Sequence, residues 1–232
     1  METRASATVI DYRITFSDGQ EVQHLVDVAA EEVPATAEWA RLDYHQCAHC
    51  PLAAADGRNC PFAAALERPV QLLSRHLSYE EVDVVVRWRG REIRQHTTLQ
   101  RVAGSLLGAV GGTCGCPHTR LLRPMAWFHW PFSDSDETLY RALSTYLLGQ
   151  YLRRQHGQAP DWELDGLREV YRNLRQVNLG MARRLRAAAE KDSSLNGLTL
   201  LDLLAADTLY SLDRYDGELD RYFSAFLSPD EN

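Results

Sequence analysis

The chain has almost no lysine. Lys191 is the single one, and the other 24 of its 25 basic residues are arginines. Codon bias explains this first, and the fit of a guanidinium to carboxylates and phosphates second. Positive charge is not in excess either. With 32 acidic residues the formal net charge is -7, so no nucleic-acid partner is expected, because broad binding to DNA or RNA needs a basic face. No apolar run is long enough to cross a bilayer, so no membrane association is expected. The first residues, Met1 to Ala7, lack the apolar core of a signal peptide, and a cytoplasmic location is the default expectation. There is no Gly-x-x-x-x-Gly-Lys loop, no Gly-x-Gly-x-x-Gly after a strand, no Gly-x-Ser-x-Gly elbow and no His-Glu-x-x-His. The common nucleotide-dependent enzymes, serine hydrolases and zinc peptidases are therefore not indicated by motif.

What is present suggests an ordered α+β protein. The 232 residues and a hydrophobic share of 45% suffice for one compact domain or two small ones. Ile10, Tyr12, Ile14 and Phe16 alternate with polar residues, Ser17-Asp18-Gly19 makes a turn, and Val22, His24, Val26 and Val28 alternate in return. Val82, Val84, Val86 and Trp88 begin a second hairpin, which returns over Ile93 to Thr98. Two hairpins predict a four-stranded antiparallel sheet. Helical spacing at Phe62, Leu66, Val70 and Leu73 predicts a helix that Pro69 should kink or shorten. A stripe from Leu99 to Val110 predicts another, ended by Gly111-Gly112 as a C-cap. Residues 112–134 read as an apolar loop. Ser133 to Glu137 offers N-caps for a helix, with Asp136 and Glu137 placed near His129. Further helices are expected at about 162–191 and 198–227. The division expected is an α+β part over 1–132 and a helical part over 133–232 packed on it, within one domain or as two.

The cysteines carry the chemistry. All five lie in two short loops: Cys47, Cys50 and Cys60 in a Cys-x2-Cys-x9-Cys run, Cys114 and Cys116 in Cys-Gly-Cys-Pro-His. In a reducing compartment such spacing points to metal binding or redox activity rather than disulfides. Thiolates suit zinc and iron–sulfur clusters alike. Cys47, Cys50, Cys60 and Cys116 are the expected ligands, with His45, His49, Cys114 and His118 as alternates. Cys60 precedes a helix, whose N-terminal dipole favours a thiolate. Zinc is favoured because four protein ligands close a structural site, and an iron–sulfur cluster is the competitor. The alternative to any metal is that the cysteines are small buried residues.

A second constellation is Cys116-Pro117-His118, followed by Arg123-Pro124-Met125-Ala126-Trp127-Phe128-His129-Trp130-Pro131-Phe132. This stretch resembles a family of bacterial proteins carrying the same Cys-Pro-His and Arg-Pro-Met-Ala-x-Phe-His-x-Pro-Phe run. The likeness spans the first hairpin to about Tyr151 and implies no particular activity. From the residues themselves, Arg120, Arg123 and His129 could form a binding site for a small anionic ligand. The simpler reading is packing by aromatic residues and pairing of arginines with carboxylates. In the last helix, Asp202, Asp207, Asp213, Asp216, Glu218 and Asp220 suggest a metal or a basic partner, against a plain solvated face. His24, His76, His96 and His156 read as isolated surface or strand residues. Three functions stand open: a cytosolic zinc protein with a structural site and a binding or regulatory role, a metal or redox enzyme using the His118/Arg123/His129 region, and an iron–sulfur or thiol redox sensor.

Overall fold

The structure is a computed structural model, described for residues 8–30, 33–54, 57–188, 205–206 and 208–228. Alternating apolar residues mark β1 (Val9–Phe16), β2 (Glu21–Asp27) and β3 (Glu81–Trp88), and the largely polar β4 (Arg91–Thr98) pairs with β3 as an edge strand. They form one antiparallel sheet in the order β2-β1-β3-β4. The hairpins join through β1 and β3, with Tyr12 opposite Val86 and Ile14 opposite Val84. The turns need positive φ, at Gly19 (84°) in the first hairpin and at Arg89 (50°) and Gly90 (73°) in the second. One face of the sheet is buried, through Ile10, Tyr12, Ile14, Val82, Val84 and Val86.

Two helices supply the apolar stripes that join this core. α1 (Pro61–Leu73) follows Cys60 with proline at its first position, and Phe62, Leu66, Val70 and Leu73 are buried. Pro69 lies inside α1 without ending it, so the expected shortening does not occur. α2 (Leu99–Thr113) continues through Gly111 and Gly112, which were expected to end it. The reason is packing. A Cβ on Gly111 would stand 3.0 Å from the Phe62 ring, and one on Gly112 would stand 3.1 Å from Ala126. These glycines permit close contact, and Gly115 supplies the positive φ (81°) just beyond the helix.

The supposed loop at 112–134 contains a 3-10 turn at Arg120–Leu122 and a short helix α3 (Arg123–Trp127). α4 (Ser135–Gln155) begins with a capping box: Asp134 accepts from the Glu137 N–H, and Glu137 accepts from the Asp134 N–H. α5 (Asp165–Ala188) spans two cores. Its Val177, Met181 and Leu185 join the sheet, α1 and α2. Its Leu167, Val170 and Tyr171 join Leu139 and Ala142 of α4 and Leu212 and Leu219 beyond. Of the helix expected at 198–227, residues 198–204 and 207 lie outside the described residues, Asp202 and Asp207 among them. Residues 208–213 are helical, and shorter turns follow at Asp220–Tyr222 and Ser224–Leu227. Among the described residues, no helix is long and apolar enough to cross a membrane.

Candidate metal centre and the neighbouring cavity

Cys47, Cys50, Cys60 and Cys116 line one small cavity of about 20 Å3. They arrive from three pieces of local structure. Cys47 and Cys50 sit in a turn closed by the Cys50 N–H donating to the Cys47 carbonyl at 3.0 Å. Cys60 is the residue before α1, and its N–H donates to the Ala40 carbonyl at 2.8 Å. Cys116 follows the end of α2. Leu42, Leu52, Phe62, Val177 and Met181 supply apolar wall. α5 closes the site at Gly180, where a Cβ would fall 2.6 Å from the Cys47 Sγ. All five cysteines are free thiols. Among the described residues, no three His, Cys, Asp or Glu side chains are drawn together tightly enough to hold an ion as they stand. The four thiols line a shared space without meeting at a point.

Sequence reasoning missed the residue that gives this cavity its charge. Arg184 of α5 lines it and is fully buried. Its Nη1 donates to the carbonyls of Trp39 at 2.6 Å and Arg41 at 2.5 Å. Among the described residues, its Nε and Nη2 have no hydrogen-bond partner. Burial lowers its pKa, opposed by Cys60 and Cys47, yet a guanidinium keeps its proton in a protein. The Tyr44 ring lies 5.9 Å from its guanidinium carbon and the exposed Asp43 carboxylate feels its charge, but the described lining of the cavity holds no carboxylate to face its two free donors. The thiols do not supply a negative charge there: burial, then the neighbouring cysteines, push Cys47 up to about 11, and burial also raises Cys116. In the sequence, Arg184 is one arginine in a helix full of them, and nothing marks it.

The alternates are dispersed. His118 lines the cavity, but its Nε2 bonds the His49 carbonyl at 2.9 Å and its ring stacks on His49 at 4.1 Å. His45 is exposed, with its ring against Tyr44. Cys114 is buried and does not line the cavity; its thiol donates to the Gly111 carbonyl at 3.2 Å.

A family model for a domain of unknown function, DUF6901, matches residues 10–224. The chain belongs to the DUF6901 family. No curated protein and no solved structure matches it. The DUF6901 match takes in every cysteine, Arg184 and α5, so it runs well beyond Tyr151.

The Arg-Pro-Met-Ala-Trp-Phe-His-Trp-Pro-Phe stretch of this DUF6901 chain leads to a second, larger space. The His129 Nε2 lies 2.6 Å from the Tyr12 hydroxyl, which lies 2.8 Å from the Ser105 Oγ; Ser105 accepts from the Phe132 N–H at 3.3 Å. One direction of donation satisfies all four groups: Phe132 to Ser105, Ser105 to Tyr12, Tyr12 to a neutral His129. Burial, then the charge on Arg141, holds His129 down at about 3, so it is neutral at ordinary pH. Phe132 has a positive φ of 63°, a conformation a phenylalanine holds only when its surroundings fix it. Here Ser105 holds its N–H, and the Arg101 Nη2 donates to its carbonyl at 3.1 Å. The network ties the motif to β1 and α2.

Arg120 and Arg123 do not join His129. Arg120 is exposed, and Arg123 makes a long 3.5 Å bond to the Val28 carbonyl. Neither lines the larger cavity, whereas Arg141 and His129 do. Asp136 pairs with Arg221, and Glu137 serves the cap of α4. Of the acidic residues near the C-terminus, Asp213 pairs with Arg168 at 3.3 Å and Asp220 accepts from Tyr215 at 2.8 Å. His76 stacks on Phe16 and pairs with Glu80, and His96 pairs with Asp83, so neither is isolated.

Proposed function

We propose that Cys47, Cys50, Cys60 and Cys116 bind one thiolate-ligated metal centre, and that the protein is a metal-binding member of its family. The observation that carries this reading is Arg184: a fully buried guanidinium with two unpartnered nitrogens lines the same cavity as four thiols. A divalent ion held by four thiolates has a net charge of about -2, and forming it releases the thiol protons. Arg184 then faces a negative charge inside the cavity, beside that of the exposed Asp43. The role is structural: the centre joins the Cys47–Cys50 turn, the start of α1, the end of α2 and α5. The activity built on it is binding or regulation.

Zinc is the first reading, since a cavity of about 20 Å3 has room for one ion and four thiolates complete its tetrahedron. An iron–sulfur cluster is the second. It uses the same thiolate ligands. Metal analysis with an absorption spectrum on protein purified without air tests both. About one zinc per chain without colour supports the first reading. Iron with sulfide and a brown colour supports the second, and with it a redox or sensing role. No metal in either form removes the proposal.

A further inference from the structure

The larger cavity encloses about 530 Å3, within the range of small-molecule sites. Phe62, Leu122, Met125 and Leu174 contribute apolar wall. One polar group stands out. Asn178 of α5 lines this cavity, is 2% exposed, and has no hydrogen-bond partner among the described residues for either Oδ1 or Nδ2. Buried amides rarely go unpaired, because each vacant donor or acceptor carries its desolvation penalty uncompensated. Ser105 and His129 also line the space but are engaged with Tyr12. Two arginines line the described wall: Arg101 is exposed, and Arg141 is half-buried, with Nη2 and Nη1 donating to the Met125 carbonyl at 2.8 Å and to the Ser133 Oγ at 3.0 Å.

We propose that this cavity binds a small molecule with an apolar body and a single carboxyl-type end, a carboxylic acid or a primary carboxamide, recognised by Asn178. A carboxamide or a protonated acid presents an acceptor beside a donor, the complement of an asparagine side chain, whereas an ionised acid offers acceptors alone. A carboxylate accepts from Nδ2 and gains from Arg141; a carboxamide fills both vacant positions of Asn178. The apolar walls select the rest of the molecule. This site does not depend on the metal proposal, although Phe62 belongs to both cavities.

Octanoate and octanamide are suitable probes, titrated into the full chain by calorimetry with the metal content measured in parallel. Saturable binding of at least one probe is expected, with a shift of the Asn178 side-chain amide resonances in 15N-labelled protein. Asn178→Leu, close in shape, and Asn178→Ser, which stays polar, should each weaken binding tenfold or more while melting cooperatively. Preference for octanoate would assign the end to a carboxylate beside Arg141, and preference for octanamide would assign it to a neutral pair with Asn178. No saturable binding of either probe overturns the proposal. So does binding that leaves the Asn178 resonances in place, or binding that both variants retain in full. Metal content unchanged in these samples separates this outcome from failure of the thiolate centre.

Discussion

The two sides of α5 face two different problems. Val177, Met181 and Arg184 line the thiol cavity, whereas Tyr171, Leu174 and Asn178 line the larger one. Each set follows helical spacing, offset round the same helix. Both sides bury a polar side chain with unmet hydrogen-bonding capacity. One is a cation and the other a neutral amide. A buried charge needs an opposite charge, and a buried amide needs hydrogen-bond partners. The comparison thus assigns an anionic centre to one side and a polar-ended apolar ligand to the other, from one helix.

The largest expected effect falls on the thiol side. Cys60→Ser should abolish metal retention and unfold the chain or lower its melting temperature severely, since the binding energy of a structural metal is folding energy. Cys114→Ser, at a buried thiol outside the cavity, should keep the metal and cost about 1 kcal/mol in a denaturant melt. Equal behaviour of the two variants would break the comparison. Arg184→Met comes next, and its size should depend on the metal. In the metal-loaded protein it strips a charge partner and should cost about 3 kcal/mol or more. In the metal-free protein it removes a buried cation along with its bonds to the Trp39 and Arg41 carbonyls, and the two effects should largely offset. Urea melts of the two forms check this, and an equal cost in both would contradict the assigned role of Arg184.

Smaller effects sharpen the picture. Gly180→Ala should displace the Cys47 thiol, costing about 1–3 kcal/mol and weakening metal retention in a chelator competition. On the other side, His129 stands near 3 in the fold against an ordinary 6.5. As pH falls, the unfolded chain takes up this proton first. The contribution is complete above about pH 6.5 and is lost between there and about pH 3, at up to about 1.4 kcal/mol per pH unit. Burial holds His24 near 4, which adds in the same direction. His129→Gln should flatten the acid limb of a stability-against-pH curve without changing metal content. An unchanged limb would place the acid sensitivity elsewhere.

Strand positions were legible because period-2 alternation with turn residues leaves little freedom: Ile10 to Phe16 and Val82 to Trp88 lie where the pattern puts them. The start of α4 among the N-caps of Ser133 to Glu137 was legible from local residue types, and the structure selects Asp134 with Glu137 as its capping box. Gly111-Gly112 misled, since a glycine pair signals a helix end by conformation and close packing by volume, and the Phe62 ring that decides the matter comes from another helix. The four expected cysteines share a cavity, a gathering implied by their confinement to two loops. Arg184 and Asn178 were not legible, because their significance rests on what they fail to pair with after folding. The Arg120, Arg123 and His129 grouping was drawn from nearness in sequence. A 3-10 turn and α3 separate these residues, and the arginines that share a cavity with His129 are Arg101 from α2 and Arg141 from α4.

The central claim is that four thiols and one buried arginine surround a metal. The most direct measurement is the metal content of protein purified without air, for the natural chain beside Cys60→Ser and Cys114→Ser. A thiolate centre predicts stoichiometric metal in the natural chain and in Cys114→Ser, and none in Cys60→Ser. Absence of metal from all three, or its retention by Cys60→Ser, would contradict it.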